Sequence, residues 1–271
     1  GGFVGWVARG STLSIDYSLF APDHLSTKAD KCDTWAVLES LNVTYTLTNS
    51  HATREFTATV MIGNAADWHK FAVMVNEAVN QYDVNAILTA DITTSEHVGV
   101  TEGAVYRGTF DGNGHTLTFN KEWTTNERFI APFRHVGDAT IKNLKVKGSI
   151  SSSQMYATGL VAQVLNGTAT IENCQSSVTV KGTMDGEGTL AGLVGRVSNS
   201  KVTIRNCKFD GSFEGNKCYG NAGFISWVDE ASSATIENCL FMPDHISTRY
   251  DQCTTWARKD NRGSLTITNS H

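Results

Sequence analysis

One short motif recurs four times, at nearly constant spacing, between Ala131 and Phe241. It reads Thr-Ile-x-Asn followed by Leu or Cys, and its isoleucines are Ile141, Ile171, Ile204 and Ile236, at intervals of 30, 33 and 32 residues. Apolar and polar residues alternate through each repeat, which is typical of β-strands. A fixed repeat of this length is typical of a solenoid. The sequence therefore predicts an all-β fold, a right-handed parallel β-helix in which each repeat forms one coil.

Stacking the four repeats places residues of one type in files that run along the solenoid axis. The predicted corner file, whose amides can form an asparagine ladder, is Asn143, Asn173, Asn206 and Asn238. The predicted interior file, apolar throughout, is Leu144, Cys174, Cys207 and Cys239. The predicted outward file, whose charges alternate in sign, is Lys142, Glu172, Arg205 and Glu237. Each charge in that file is expected to lie between opposite charges on neighbouring coils, about 4.8 Å away.

A second, longer period relates the two ends of the chain. Residues 1–37 and 222–258 share 18 identical positions, and both copies end in Thr-Asn-Ser-His. This period predicts tandem modules of about 220 residues each. We expect the chain to be an excised segment with three parts: the C-terminal coils of a preceding β-helix module (1–51), a connecting strand (52–62) and a complete module (63–271).

One segment, 64–80, has helical periodicity. Asn64 and Asp67 resemble a capping box. The apolar residues at helical spacing are Trp68, Phe71, Ala72, Val75, Ala78 and Val79. Because a β-helix has an open end with an exposed core, we predict that this short helix is the N-terminal cap of the second module.

Composition narrows the classes of partner. The net charge is −5, and we expect neither nucleic-acid binding nor attraction to anionic membranes. No apolar run approaches the ~20 residues of a membrane span, so membrane insertion is not expected. The motifs of phosphate-binding loops, zinc proteases and thiol oxidoreductases are missing from the sequence, and we expect no cofactor.

The order of several motifs resembles a known family. A helix with Asn-Ala-Ala-Asp-Trp (64–68) precedes Gly-Thr-Phe-Asp-Gly-Asn-Gly (108–114) and then coils with Gly-Leu-Val-Gly (192–195) and Thr-Ile-x-Asn-Cys. Together these resemble bacterial cell-surface proteins with GLUG-type parallel β-helix repeats, over about 62–241. One coil has the full Gly-Leu-x-Gly, and the others depart from it. The resemblance implies an exported protein of the bacterial cell surface and supplies no catalytic residues.

The expected function is that of a non-enzymatic extracellular repeat module in a surface adhesin or stalk protein. The expected partners are a glycan or host-surface ligand, and neighbouring modules or other copies that meet the solenoid ends. The alternative is a carbohydrate-active β-helix enzyme, a polysaccharide lyase or glycosidase, which needs paired carboxylates or a cation on an open face. The outward charged file could supply them, but its alternation suits a self-neutralised structural file better.

A calcium loop is a weaker alternative for one turn. Asp111, Asn113 and Glu122 occupy positions 1, 3 and 12 of such a loop, but Thr116 stands where the loop needs Gly. A plain turn is the better interpretation, and no metal ligand is predicted.

The best-kept stretch of the long repeat is a loop, at 21–36 and again at 242–257. Ten of its sixteen positions are identical, although loops usually drift faster than strands. Two explanations remain open: local architecture, or a ligand site with Trp as a stacking platform. The candidate ligand-binding residues are Asp23, His24, Asp30 and Trp35 in the first copy, and Asp244, His245, Asp251 and Trp256 in the second. Trp6 and Trp227, at equivalent places in a strand, likewise suit either packing or sugar stacking.

Two cysteines outside the interior file, Cys218 and Cys253, lie in loops of consecutive coils and are candidates for a disulfide. Cys32 aligns with Cys253 and has no such partner in the sequence, so this hypothesis predicts that Cys32 is unpaired. Non-reducing peptide mass mapping should recover a Cys218–Cys253 cross-linked peptide; two alkylated, unlinked peptides would contradict the pairing.

Overall fold

The computed structural model describes residues 2–20, 35–39, 43–48, 50–52, 59–76, 84–123, 126, 128–184, 189–215, 218, 220–248 and 253–271. It is nearly all β, with parallel strands stacked into a right-handed β-solenoid of about seven turns and one short helix. The fold class predicted from the repeat is therefore confirmed.

The described strands are short, as the repeat requires. The N-terminal strands are β1 (Val4–Val7), β2 (Thr12–Asp16), β3 (Leu19–Phe20), β4 (Ala36–Leu38), β5 (Thr44–Thr48) and β6 (His51–Ala52). The helix region contains β7 (Thr59–Ile62), α1 (Ala65–Asn76), β8 (Asn85–Leu88), β9 (Ile92–Thr94), β10 (Tyr106–Asp111) and β11 (Thr116–Trp123). The first coils of the regular repeat contain β12 (Phe129–Ile130), β13 (Phe133–Lys142), β14 (Lys145–Ser152), β15 (Tyr156–Thr158), β16 (Val161–Leu165), β17 (Thr168–Glu172) and β18 (Gln175–Gly182). The later coils contain β19 (Thr189–Ala191), β20 (Val194–Ser198), β21 (Lys201–Arg205), β22 (Lys208–Phe209), β23 (Ser212–Gly215), β24 (Asn221–Ala222), β25 (Ile225–Val228), β26 (Ser233–Glu237), β27 (Leu240–Phe241), β28 (His245–Thr248), β29 (Cys253–Thr254), β30 (Ala257–Lys259) and β31 (Ser264–Thr268).

Three sheets run along the regular coils. One holds β12, β15, β19, β24 and β29; a second holds β7, β8, β10, β13, β16, β17, β20, β21, β25, β26, β30 and β31; the third holds β9, β11, β14, β18, β22, β23, β27 and β28. The register is the one that the motif predicts, because the isoleucines pair as Ile141–Ile171–Ile204–Ile236 and continue to Ile267. The four motif isoleucines are almost completely buried and belong to one continuous core.

The corner asparagines adopt the backbone conformation that the sharp turn needs. Their φ angles are 53°, 53°, 53° and 51° at Asn143, Asn173, Asn206 and Asn238. Asn206 Nδ2 donates to Asn173 Oδ1 at 3.2 Å, and Asn173 Nδ2 donates to Asn143 Oδ1 at the same distance. The corners at Asn143, Asn173 and Asn206 are thus held both by a residue that tolerates positive φ and by a side-chain bond to the neighbouring coil.

The cysteine file is buried as predicted, but its thiols also have a polar role. Each Sγ lies 3.2 Å from the carbonyl oxygen two residues earlier, at Cys174, Cys207 and Cys239. Ser50 and Ser270 make the same bond at 2.8 and 2.9 Å. Burial raises the pKa of the Cys207 thiol well above its usual range. Cys and Ser can both make this bond because each has a short side chain with a donor, whereas Leu144 fills the same position by packing alone.

A glycine marks the sharp bend before the second sheet. A Cβ at Gly192 would clash with the Gly223 carbonyl oxygen and with the ring of Phe209, because the next coil passes directly above. Gly223 meets Thr255 and Phe241 in the same way. Close approach between coils thus explains the Gly-Leu and Gly-Phe motifs.

Helix α1 covers the start of the core. The side chains of Trp68, Phe71, Ala72 and Val75 are buried, and the Trp68 ring lies 5.9 Å from the Phe110 and Phe133 rings. Asn64 Oδ1 accepts from the amides of Ala66 and Asp67 at 2.9 and 3.0 Å. Asn64 is therefore the N-cap residue of the helix, as the capping-box pattern predicts. Residues 77–80 of the predicted helix lie outside the described residues.

One boundary differs from the sequence prediction. The polar composition of 120–130 predicts a loop, yet β11 continues to Trp123 and pairs with β14 up to Ser152. Of the expected connecting strand, β7 begins at Thr59, and residues 53–58 lie outside the described part. Pairing along the whole length of β14 extends β11 through a polar stretch, which periodicity alone does not reveal.

The N-terminal strands repeat the geometry of the C-terminal coils. Strand β1 pairs with β4 as β25 pairs with β30, and β2 pairs with β5 as β26 pairs with β31. The small core of Val7, Ala36 and Val43 is separate from the main one. Within the described residues, no ladder joins β1–β6 to the later sheets.

The corner file makes a direct prediction. Asn206→Ala should destabilise the protein by about 1–2 kcal/mol, because it removes one hydrogen bond and leaves a β-carbon residue at positive φ. Asn206→Gly, which relieves the backbone but loses the bond, should cost less. Chemical denaturation of the three proteins checks this order; wild-type stability of the Ala variant would contradict the role given to Asn206.

Candidate functional site

The two copies of the recurring loop are described to different extents. Asp23, His24 and Asp30 of the first copy and Asp251 of the second lie outside the described residues. Trp35, Asp244, His245 and Trp256 are described. The second copy therefore carries the geometry of the candidate site.

The two loop tryptophans pack in equivalent positions between coils. The Trp35 ring lies 5.3 Å from Phe3 and 6.2 Å from Phe20, and Trp35 is buried. The Trp256 ring lies 5.1 Å from Phe224 and 6.5 Å from Phe241, the equivalent residues, and packs against the main core. A ring held between coils has little face left for a sugar. This packing favours the architectural explanation for the two tryptophans.

Asp244 and His245 have a different environment, because both are exposed. The Asp244 amide donates to the Gly211 carbonyl at 2.9 Å, and His245 begins β28, which pairs with β23. A cavity of about 440 Å³ is lined by Cys253 and by Ile246, Ser247 and Thr248, which follow His245 along β28. The backbone holds Asp244 and His245 at the surface, and both stay candidate ligand contacts.

The outward charged file is arranged as a chain of opposite neighbours. Arg205 Nη2 donates to Glu172 Oε2 at 2.6 Å, and the pKa of Arg205 is raised by this hydrogen bond and then by the charge of Glu172. The file begins one coil earlier than expected, at Asp111, whose Oδ2 lies 3.4 Å from Lys142 Nζ. It ends at Thr268, which pairs with Glu237.

Asp111 is engaged by the protein itself. Its Oδ1 accepts from the Asn113 amide at 2.8 Å and from Asn143 Nδ2 at 3.0 Å. Burial alone would raise the pKa of Asp111, but these bonds and the Lys142 charge outweigh it and lower the pKa. The contacts are those of a turn that closes the corner file, as the plain-turn interpretation predicts. Within the described residues, no cluster of three or more metal-ligating side chains occurs.

The shifted carboxylates of the described part all move in one direction. The Thr116 amide lowers the pKa of Asp91. At Asp210, burial opposes the shift, and the bonds from Lys208 and Ser177 overcome it and lower the pKa. A general acid at neutral pH needs the opposite shift, which burial or a neighbouring carboxylate would give. These carboxylates act as acceptors that tie coils together.

Both disulfide candidates are thiols in the structure. The buried Cys218 has its Sγ 3.6 Å from the Met184 carbonyl oxygen, and Cys253 is half-buried beside the cavity. Burial raises the pKa of Cys253 to about 11, which makes its thiolate scarce at neutral pH. Cys32 lies outside the described residues, and the pairing stays a prediction.

Sequence reasoning missed one polar cluster on the side of the solenoid. Arg196 Nη2 and Asp229 Oδ2 lie 2.9 Å apart, and His135 Nδ1 lies 3.0 Å from Gln163 Oε1. His135, Gln163 and Arg196 share one register on neighbouring strands, and that register was the signal available. The residue type at this position differs from coil to coil, so the sequence contains no repeated motif that identifies the file.

Comparison with known proteins supports the fold and gives no information on activity. No family model matches the chain, and no curated protein matches it. A solved structure from Bacteroides ovatus, provisionally described as an immunoglobulin A1 protease, is 15% identical with a TM-score of 0.50. The match covers 79% of this chain and 84% of that one. At this identity the likeness supports a β-solenoid and no shared activity. Among the described helices, none is long and apolar enough to cross a membrane.

The two explanations of the loop separate by mutation. If Asp244 and His245 are ligand contacts, Asp244→Ala with His245→Ala should leave the melting temperature unchanged, because both side chains are exposed, and should abolish binding on a glycan array. If the loop is architectural, the same variant should melt at a lower temperature. Lys201→Ala, which removes an exposed charge outside the recurring loop, is the control. Unchanged melting together with unchanged binding would defeat both explanations.

Proposed function

We propose that this chain is a non-enzymatic repeat module of a bacterial surface adhesin or stalk protein, exposed outside the cell. The observation that carries the proposal is the recurrence of one coil pair at both ends. Phe3 packs against Trp35 as Phe224 packs against Trp256. Each residue of the second pair lies 221 positions after its equivalent in the first. A chain that repeats a whole structural unit gains length, which is what a spacer requires.

The forces between coils suit a rod. The interior is continuous from the capping helix to the last coils, side-chain bonds join Asn143, Asn173 and Asn206 on successive coils, and Arg205 pairs with Glu172 of the neighbouring coil. Each coil contacts its neighbours only, so added units extend the rod without a new core. The ends of such a rod are the natural surfaces for neighbouring modules or for other copies of the chain.

The binding partner in this proposal is a glycan or another host-surface ligand. In the recurring loop, the proposal is supported by the exposed pair Asp244 and His245 and by the cavity that the rest of β28 lines together with Cys253. The proposal includes no nucleic-acid partner, since the chain is weakly acidic. It includes no membrane insertion, since no apolar run approaches the ~20 residues of a membrane span.

The alternative remains a carbohydrate-active β-helix enzyme. The fold likeness to a protein described as a protease is compatible with enzymes on this scaffold, but fold does not carry function. The downward pKa shifts of Asp91, Asp111 and Asp210 speak for structural carboxylates.

One assay separates the two functions. The chain is coupled to beads, offered immobilised mucin-type glycoproteins and plant and bacterial polysaccharides, and the supernatant is analysed by mass spectrometry over a day. If the chain is a non-enzymatic module, the beads should be retained on at least one surface and no product should be released. Purified immunoglobulin A1 should likewise yield no cleavage product. Product that accumulates in proportion to the chain would establish the enzyme and overturn the proposal. Heat-denatured chain on the same beads is the control.

A further inference from the structure

A file of planar side chains crosses the side of the solenoid, on the strands that precede each Thr-Ile motif. Successive coils place His135, Gln163, Arg196 and Trp227 in register on β13, β16, β20 and β25. His135 and Gln163 are buried, whereas Arg196 and Trp227 are partly exposed. The accessible end of the file is therefore the Arg196–Trp227 step.

The floor beside this step belongs to a second apolar cluster, outside the main core. It consists of Phe129, Ala131, Tyr156 and Ala162, with Trp227 and Met155 packed against it. The Phe129 and Tyr156 rings are stacked, 4.9 Å apart and nearly parallel. One edge of the Trp227 ring is thus anchored, and the ring keeps a partly open surface.

Glycine shapes the floor and leaves a hydroxyl facing it. A Cβ at Gly195 would come within 2.9 Å of Thr158 Oγ1 and would clash with the Ala162 carbonyl. Thr158 is fully buried, and its hydroxyl has no hydrogen-bond partner. A buried hydroxyl of this kind is rare enough in native proteins to need an explanation.

Arg196 supplies charge that is already balanced. Its Nε lies 3.1 and 3.2 Å from the two oxygens of Asp229, and its Nη2 lies 2.9 Å from Oδ2. The side chains are 32% and 18% exposed. The pair is neutral overall and offers both donors and acceptors, and Arg196 is the register partner of Trp227 on the neighbouring strand.

We propose that Trp227, Arg196 and Asp229 form a subsite for a neutral hexose of an extended glycan, which stacks on the indole and shares its hydroxyls with the ion pair. An aromatic face with planar groups at its edge matches the apolar C–H face and equatorial hydroxyls of such a sugar. A uronic or sialic acid is disfavoured, because Asp229 already occupies the guanidinium.

The chain contains its own control. Trp6 is the equivalent of Trp227 and is 61% exposed, but the position equivalent to Asp229 is Ala8. If an exposed tryptophan were enough, Trp6 would bind as well. If the ion pair is required, Trp227 alone carries the subsite.

The test uses the full chain and an array of neutral hexose oligosaccharides, with uronate and sialylated oligosaccharides as acidic comparators. Wild type should bind at least one neutral oligosaccharide. Trp227→Ala should weaken that affinity about tenfold or more, and Asp229→Asn, which keeps the shape of the side chain, should do the same. Trp227→Phe should retain most of the affinity, and Trp6→Ala should match wild type. Circular dichroism melting of each variant shows which proteins stay folded at the assay temperature.

Several results would overturn the subsite: no neutral oligosaccharide bound, a preference for the acidic comparators, full affinity in Trp227→Ala, or equal losses in Trp6→Ala and Trp227→Ala. If Trp227→Ala does not fold, Asp229→Asn decides the matter, and full affinity in that variant overturns the proposal. The subsite stands apart from the proposed module function. Product release in the bead assay would contradict the module function and would not affect the subsite. Absence of binding on the oligosaccharide array would contradict the subsite and would not affect the module function.

Discussion

Coil-on-coil stacking of parallel strands is the interaction on which this structure depends. Each strand of the regular coils gives its backbone hydrogen bonds to the coils before and after it, so no coil is stable without a neighbour. Stacking also forces equal residues into files, because the strand register is fixed from Phe110 through Ile141 to Ile267. Interior, corner and surface then follow from one repeated alignment.

Much of the fold was predictable because stacking turns spacing into position. The intervals between the isoleucines predict the strand register. The repeated asparagines predict the sharp corner of each coil, and the alternating charges predict the outward face of the strand beside it. Features outside the repeat were less visible. Asp111 joins the charged file from a turn, and its place became clear only through its contacts with Lys142 and Asn143. The cysteines were predicted to be buried, but their bonds to the carbonyls two residues earlier depend on corner geometry.

The candidate site was less predictable than the fold, for a physical reason. An identity between two loop copies shows that a residue is kept, but packing and binding preserve the same residue types. Trp35 and Trp256 are held between phenylalanines of adjacent coils, which is sufficient to keep them. Asp244 and His245 are exposed and have no such packing role. Arg196 and Asp229 belong to no repeated residue type. Alignment of the coils pairs Arg196 with Trp227, but only the structure shows that Asp229 accepts a hydrogen bond from Arg196.

The central claim is that the Thr-Ile motifs are consecutive rungs of one hydrogen-bonded stack. Hydrogen exchange measured by mass spectrometry tests it most directly. Stacking predicts slow exchange at 139–142, 169–172, 202–205 and 234–237 that is lost together as denaturant is raised, since each rung needs its neighbours. The first coils, 12–16 and 44–48, have their own small core and should open at lower denaturant. Rapid exchange at 169–172 or 202–205 under native conditions would contradict the account, because those rungs have a partner strand on both sides.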